Sequence, residues 1–213
     1  MLKSFFKHSI VKITRTNIAA FFSFVIIMTS GVQAQFQLSG TMNLAVPVGD
    51  WAGYLAGTGY GSKISFQYRF LHKALSVNIT PAFVNFSQCY TEGAYDVLTS
   101  KVEFFPLTAG IDYYFFKGSF RPFIGIQSGM VFEHNKTNYN LDIPEYGYSV
   151  TGNTDTLYNY FEAGARAGVV CDVNKHFGLI ASVDYNNVFN EGDGDLNYLT
   201  FNGGIIITFG SKD

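Results

Sequence analysis

Six charged side chains sit at positions where strict alternation would turn them away from an apolar face: Lys63, Arg69, Asp112, Glu162, Arg166 and Asp184. Three are cations and three are carboxylates, so the set balances. In an interior, such a set either satisfies its own buried charge or lines an ion path, and both uses require pairing. Glu162, Arg166 and Asp184 fall on consecutive strands and are expected to form one network, with Gln127 and Asn202 nearby. Pairing alone does not separate a plug from a gated path.

Other residues offer weaker chemistry. His134 stands beside Glu133, with Asp142 and Asp155 in the same segment, and a histidine with a carboxylate is the raw material of a hydrolase. The bland reading is a solvated loop histidine. His72 and His176 fall in short turns, and His8 lies in the N-terminal leader. Glu191, Asp193, Asp195 and Asn197 space oxygen ligands through a Gly-containing loop, as calcium would want, but no full calcium-loop pattern is present. The glycines of Gly57 to Gly61 precede no helix, so they read as loop rather than as a phosphate cradle. No catalytic residue, metal or cofactor is assigned, and the chain is not expected to be an enzyme.

The elements that must hold these residues are strands. From Phe36 to Val46 the even positions are apolar or Gly and the odd ones mostly polar, the period of a strand with one apolar face. The same pattern recurs at about 60–70, 75–86, 101–116, 120–132, 158–171, 177–187 and 197–210. Eight strands of this length suit tilted membrane spans. The connections between them alternate. They are short at about 71–74, 117–119 and 172–176, and long at about 47–59, 87–100, 133–157 and 188–196. Transmembrane barrels sort their loops in this way, with short periplasmic turns and long extracellular loops. Apolar parity slips after Phe83 and again at Val102 and Phe104, beside Pro81 and Pro106, which suggests paired bulges. Phe70, Tyr113, Phe115, Phe116, Phe120, Phe177 and Phe209 would ring the periplasmic end. Tyr60, Phe83, Phe104, Phe132, Tyr158, Tyr185 and Tyr198 would ring the outer end.

Composition agrees. Charged residues are only 14% and aromatics 17%, while mean hydropathy is a modest +0.12. A helical membrane protein would be far more apolar; a barrel shows lipid only alternate residues. A soluble barrel with a greasy interior would need the reverse arrangement, because here the outward face is the apolar one. Residues 1–34 carry Lys3, Lys7, Lys12 and Arg15, then the apolar run Ile18 to Met28, then small residues at Val32 and Ala34. That is the plan of a cleaved secretory signal, and the run is too short to span a bilayer. The remainder, 35–213, holds 10 basic against 16 acidic residues, which disfavours nucleic acid as a partner. Cys89 in an outer loop and Cys171 at the periplasmic end would be about a membrane thickness apart, so both are expected to be unpaired.

The runs FPLTAGIDYYF, FRPFIGIQSG and FEAGARAGVVCDVNKHFGLIASVDYNNVF, with a last strand ending on an aromatic, resemble the small outer-membrane β-barrel family, the relatives of the OmpA transmembrane domain and OmpX. The resemblance spans essentially all of 35–213. It implies an all-β, eight-stranded antiparallel up-and-down barrel in the outer membrane of a Gram-negative bacterium, monomeric and in contact with its lipid. Asn202, Gly204, Ile207 and Phe209 look like the C-terminal signal read by the barrel-assembly machinery. Only three residues follow Gly210, so the cell-wall anchoring of full-length OmpA proteins is not expected. The expected role is structural or interactive, through extracellular loops that contact an unidentified ligand, with the lumen plugged by paired charges. The alternative is a narrow channel for small or apolar solutes.

Overall fold

The computed structural model describes residues 35–49, 57–70, 74–92, 96–143, 148–189 and 196–209, without the side chains of 88–100 and 139–150. Residues 1–34, the expected signal, lie outside this set, as do Glu191, Asp193 and Asp195. The described strands belong to the unit Ala34–Asp213.

Eight strands form one closed antiparallel barrel in sequence order, with β1 paired to β8. They are β1 (Gln35–Val48), β2 (Gly59–Phe70), β3 (Leu75–Glu92), β4 (Asp96–Tyr114), β5 (Phe120–Ile143), β6 (Tyr148–Asp172), β7 (Phe177–Phe189) and β8 (Leu196–Phe209). Closure leaves no strand edge inside the bilayer, where no water could satisfy one. Along β1 the odd residues Gln35 to Asn43 are buried in the lumen, while Phe36, Met42 and Leu44 stand outside. β7 repeats the pattern without a break, with Phe177, Leu179, Val183 and Tyr185 outside and Ser182, Asp184 and Asn186 inside. This is a transmembrane β-barrel: an apolar belt outside, a packed polar lumen within.

Two expectations fail, and for related reasons. The parity slips are not bulges. β2 and β3 keep one register from Tyr60 opposite Asn85 to Phe70 opposite Leu75. β3 and β4 likewise keep one register from Leu75 opposite Tyr113 to Glu92 opposite Asp96. The ladder lapses for two residues beside each proline, which has no N–H to donate, but nothing shifts. Val84, Phe86, Val102 and Phe104 are apolar residues that truly point inward. The strand keeps its register while the lumen changes character.

The segments 87–100 and 133–157 are not irregular either. β3 and β4 pair as far as Glu92 and Asp96, and β5 and β6 pair as far as Ile143 and Tyr148. Outside the membrane both faces of a sheet meet water, so the apolar alternation that marks a strand disappears while the strand continues. Thr, Tyr and Val there still suit extended backbone.

Candidate functional site

The lumen is stacked in three tiers. The middle tier holds most of the inward charges. Lys63 on β2 reaches across to Asp184 on β7, and the two form a buried ion pair. Ser182 donates to the other Asp184 oxygen at 3.0 Å, and Asn202 on β8 donates to Ser182 at 3.1 Å. Arg166 on β6 places its Nε 3.4 Å from Asp112 on β4. Asn78 and Ser76 on β3 donate to the second Asp112 oxygen at 2.9 and 3.3 Å. Gly125 on β5 makes that pair possible, because a Cβ there would stand 2.2 Å from Asp112 Oδ1. Gln127 donates to Asn186 at 2.8 Å. Glu162 stands apart from Arg166 and Asp184: it accepts from the Tyr198 hydroxyl at 3.0 Å. Arg69 lies lower, its guanidinium 4.3 Å above the Tyr114 ring. All six residues singled out in the sequence are buried, and they divide among four local groups rather than forming one network: Lys63 with Asp184, Arg166 with Asp112, Glu162 with Tyr198, and Arg69 on Tyr114.

The outer tier is apolar. Ala45, Val84, Phe86, Val102, Phe104, Val131, Val188, Leu196 and Tyr198 make one buried cluster. Its aromatic rings form a triangle with centroids 5.6, 6.3 and 6.0 Å apart for Phe86–Phe104, Phe86–Tyr198 and Phe104–Tyr198. Phe104 and Tyr198 therefore leave the expected outer girdle, since they fill the lumen instead of facing lipid. Phe132 and Tyr185 do stand outside, and so do Phe115, Phe177 and Phe209 at the other end.

The inner tier is Tyr114, Phe123, Val170, Ile180 and Ile206. Arg166 lies 5.1 Å over the Phe123 ring, and Arg121 lies 5.7 Å over Tyr114. Arg121 also pairs with Asp172 at 2.7 Å, a buried ion pair that the sequence reading overlooked. Its signal was present, because Arg121 shares the inward parity of Gly125 and Gln127.

The remaining candidates separate. His134 lies on the outward side of the barrel extension, its Nε2 2.6 Å from Asp155 and its Nδ1 3.4 Å from Glu103. Lys101 pairs with Glu103 at 2.6 Å, and its ammonium holds the Glu103 carboxyl below the usual carboxylate range. Among the described residues no cluster of metal-ligating side chains exists. Cys171 is a free thiol; Cys89 lies on the far extension of β3, its side chain outside the described set. The four C-terminal residues occupy two faces. Asn202 and Gly204 point inward; Ile207 and Phe209 point outward, and Phe209 packs on Phe36 at 6.0 Å. A Cβ at Gly204 would lie 2.0 Å from the Gly40 carbonyl oxygen, so only glycine lets β1 and β8 meet there.

No protein-family model and no curated protein matches the chain. Solved structures do match. A major outer membrane protein from Thermus thermophilus aligns with a TM-score of 0.55 at 9% identity, over 83% of this chain and 99% of that one. The outer membrane protein OprG from Pseudomonas aeruginosa aligns with 0.50 at 13% identity, over 84% and 98%. The outer membrane protease OmpT from Escherichia coli also aligns, with 0.33 at 11% identity, over 85% and 98%. For the first two, at these identities, the likeness is one of fold: the chain has the architecture of the small outer-membrane β-barrels.

Proposed function

We propose that the protein is an integral outer-membrane barrel whose lumen does not conduct and whose work is done outside the membrane, as a structural or interaction protein. The supporting observation is the stacking of the lumen. A buried polar tier, with Lys63 on Asp184 and Arg166 on Asp112, lies between two apolar clusters, and the aromatic triangle of Phe86, Phe104 and Tyr198 closes its outer end. Water and ions avoid such a constriction.

The contact surface is then the four-stranded sheet of β3 to β6 that continues past the barrel rim. β7 reaches only Phe189, opposite Phe161, so among the described residues Tyr148 to Tyr160 form a free edge of β6. Natural edges are blunted by Lys, Pro or bulges. This one has neither Lys nor Pro over thirteen residues. It suits an extended segment of a partner added as a further strand. The outward His134 pairs belong to this sheet and serve its cohesion, not catalysis.

Conductance in a planar bilayer tests the reading. The wild-type barrel is expected to be silent, and a Phe86→Ala/Phe104→Ala variant to show small openings. Steady wild-type conductance would overturn the closed lumen and make the middle tier the lining of a narrow channel.

A further inference from the structure

The upper lumen is short of positive charge. Lys63 is taken by Asp184, and Arg166 lies beside Asp112. Glu162 remains, buried to 1% exposure, and among the described residues no cation pairs with it. Its one hydrogen-bond donor among the described residues, the Tyr198 hydroxyl, is neutral. A buried carboxylate without a counter-charge is strongly disfavoured. A cavity of about 30 Å³ lies beside it, lined by Glu162, Asp184, Lys63, Asn43 and Thr200 among others. By the measure that assigns roughly 10–15 Å³ to one water, it holds about two waters or one small ion. A second group in the same wall asks for a positive or donating occupant. Asn43 is more than nine-tenths buried, and its Oδ1 has no hydrogen-bond partner.

We propose that this cavity is a monovalent-cation site, taking a sodium- or potassium-sized ion on the Glu162 carboxylate and the Asn43 carbonyl oxygen. One positive charge neutralises the Glu162 excess, while Lys63 in the same wall stays on Asp184. A divalent ion would overcharge the tier, where Glu162 is the one carboxylate in the wall without a cation. The occupant acts as a structural ion, tying the outer apolar cluster to the polar tier through Tyr198, which belongs to the first and bonds the second. The inference rests on a lumen closed at both ends.

The test is urea unfolding of the whole protein in detergent micelles at pH 8, in sodium, potassium or choline chloride at equal ionic strength. Choline is too large for the cavity. Wild type is expected to unfold at higher urea in sodium or potassium, saturably. At about ten times the dissociation constant, the folding equilibrium constant should be roughly tenfold above that in choline. Glu162→Gln is expected to erase the difference. Should that variant fail to fold, Asn43→Ala is expected to weaken it while keeping the carboxylate. Equal wild-type midpoints in all three salts would overturn the site and leave Glu162 to hold a proton instead. A salt effect of the same size in Glu162→Gln would also overturn it, as an ion-specific effect unrelated to this cavity. Neither result bears on conductance, so the closed lumen stands or falls separately.

Discussion

The two parts of this barrel use the same backbone pairing to hold charges of opposite worth. Below the rim, β1, β2, β7 and β8 are 12 to 14 residues long, and every luminal charge is buried. Above it, β5 and β6 run to 24 and 25 residues, and with β4 they carry Lys101, Glu103, His134, Lys136 and Asp155 on the outward side. Lys63–Asp184 is a cross-strand ion pair and His134–Asp155 a cross-strand hydrogen-bonded pair. The first has no water to fall back on; in the second, the Asp155 side chain is 60% exposed. An exposed pair is worth little because water already solvates its members, whereas breaking a buried pair strands a charge.

Truncating the carboxylate in each part gives the largest predicted contrast. Asp184→Ala should destabilise the folded barrel by about 3–5 kcal/mol, because Lys63 is left buried and alone. Asp155→Ala should cost less than about 1 kcal/mol. Urea unfolding in micelles reads both, and equal losses would refute the contrast. A smaller effect is expected where packing rather than charge is disturbed. Gly125→Ala puts a methyl group against Asp112 Oδ1 and within 2.7 Å of the Ile111 carbonyl oxygen. Overpacking of this kind costs about 1–3 kcal/mol. Asn153→Ala, on the extension, should be nearly silent in the same assay.

The division also explains what could be read from the sequence. Within the membrane, lipid outside and packed groups inside hold each side chain to its face, so strand number, order and most of the inward charges were legible, Arg121 and Asp172 being missed. Beyond the rim that constraint ends. Glu133 to Leu157 then looked like loop, although the strands simply continue with water on both sides. The apolar outer tier was visible in the residues but misread. Val84, Phe86, Val102 and Phe104 broke parity, and a bulge looked simpler than a lumen that turns from polar to apolar along its length. The grouping of charges was not legible, because it depends on the shear of a closed barrel. That shear brings Lys63 on β2 to Asp184 on β7, which pairwise neighbours in sequence do not suggest.

The smallest predicted effect concerns pH and the extension alone. Lys101 holds the Glu103 carboxyl below its usual range, chiefly through their hydrogen bond. A carboxyl whose folded value is depressed stabilises the fold above its unfolded value of about 4.3, and loses that contribution as pH falls through the lower folded value. The outward pairs around Glu103 should therefore hold at pH 6 and loosen only in clearly acid solution, by less than about 1 kcal/mol for a surface pair. Carboxyl carbon shifts of Glu103, followed by NMR in micelles, would show the titration directly. Wild type should titrate below an ordinary glutamate, and Lys101→Ala should move the midpoint up. If Glu103 titrates at the ordinary value in the wild type, the Lys101 contact does not hold in solution. The sheet beyond the rim would then depend on its backbone ladder alone, and the gap between the worth of its charges and that of the luminal ones would be wider still.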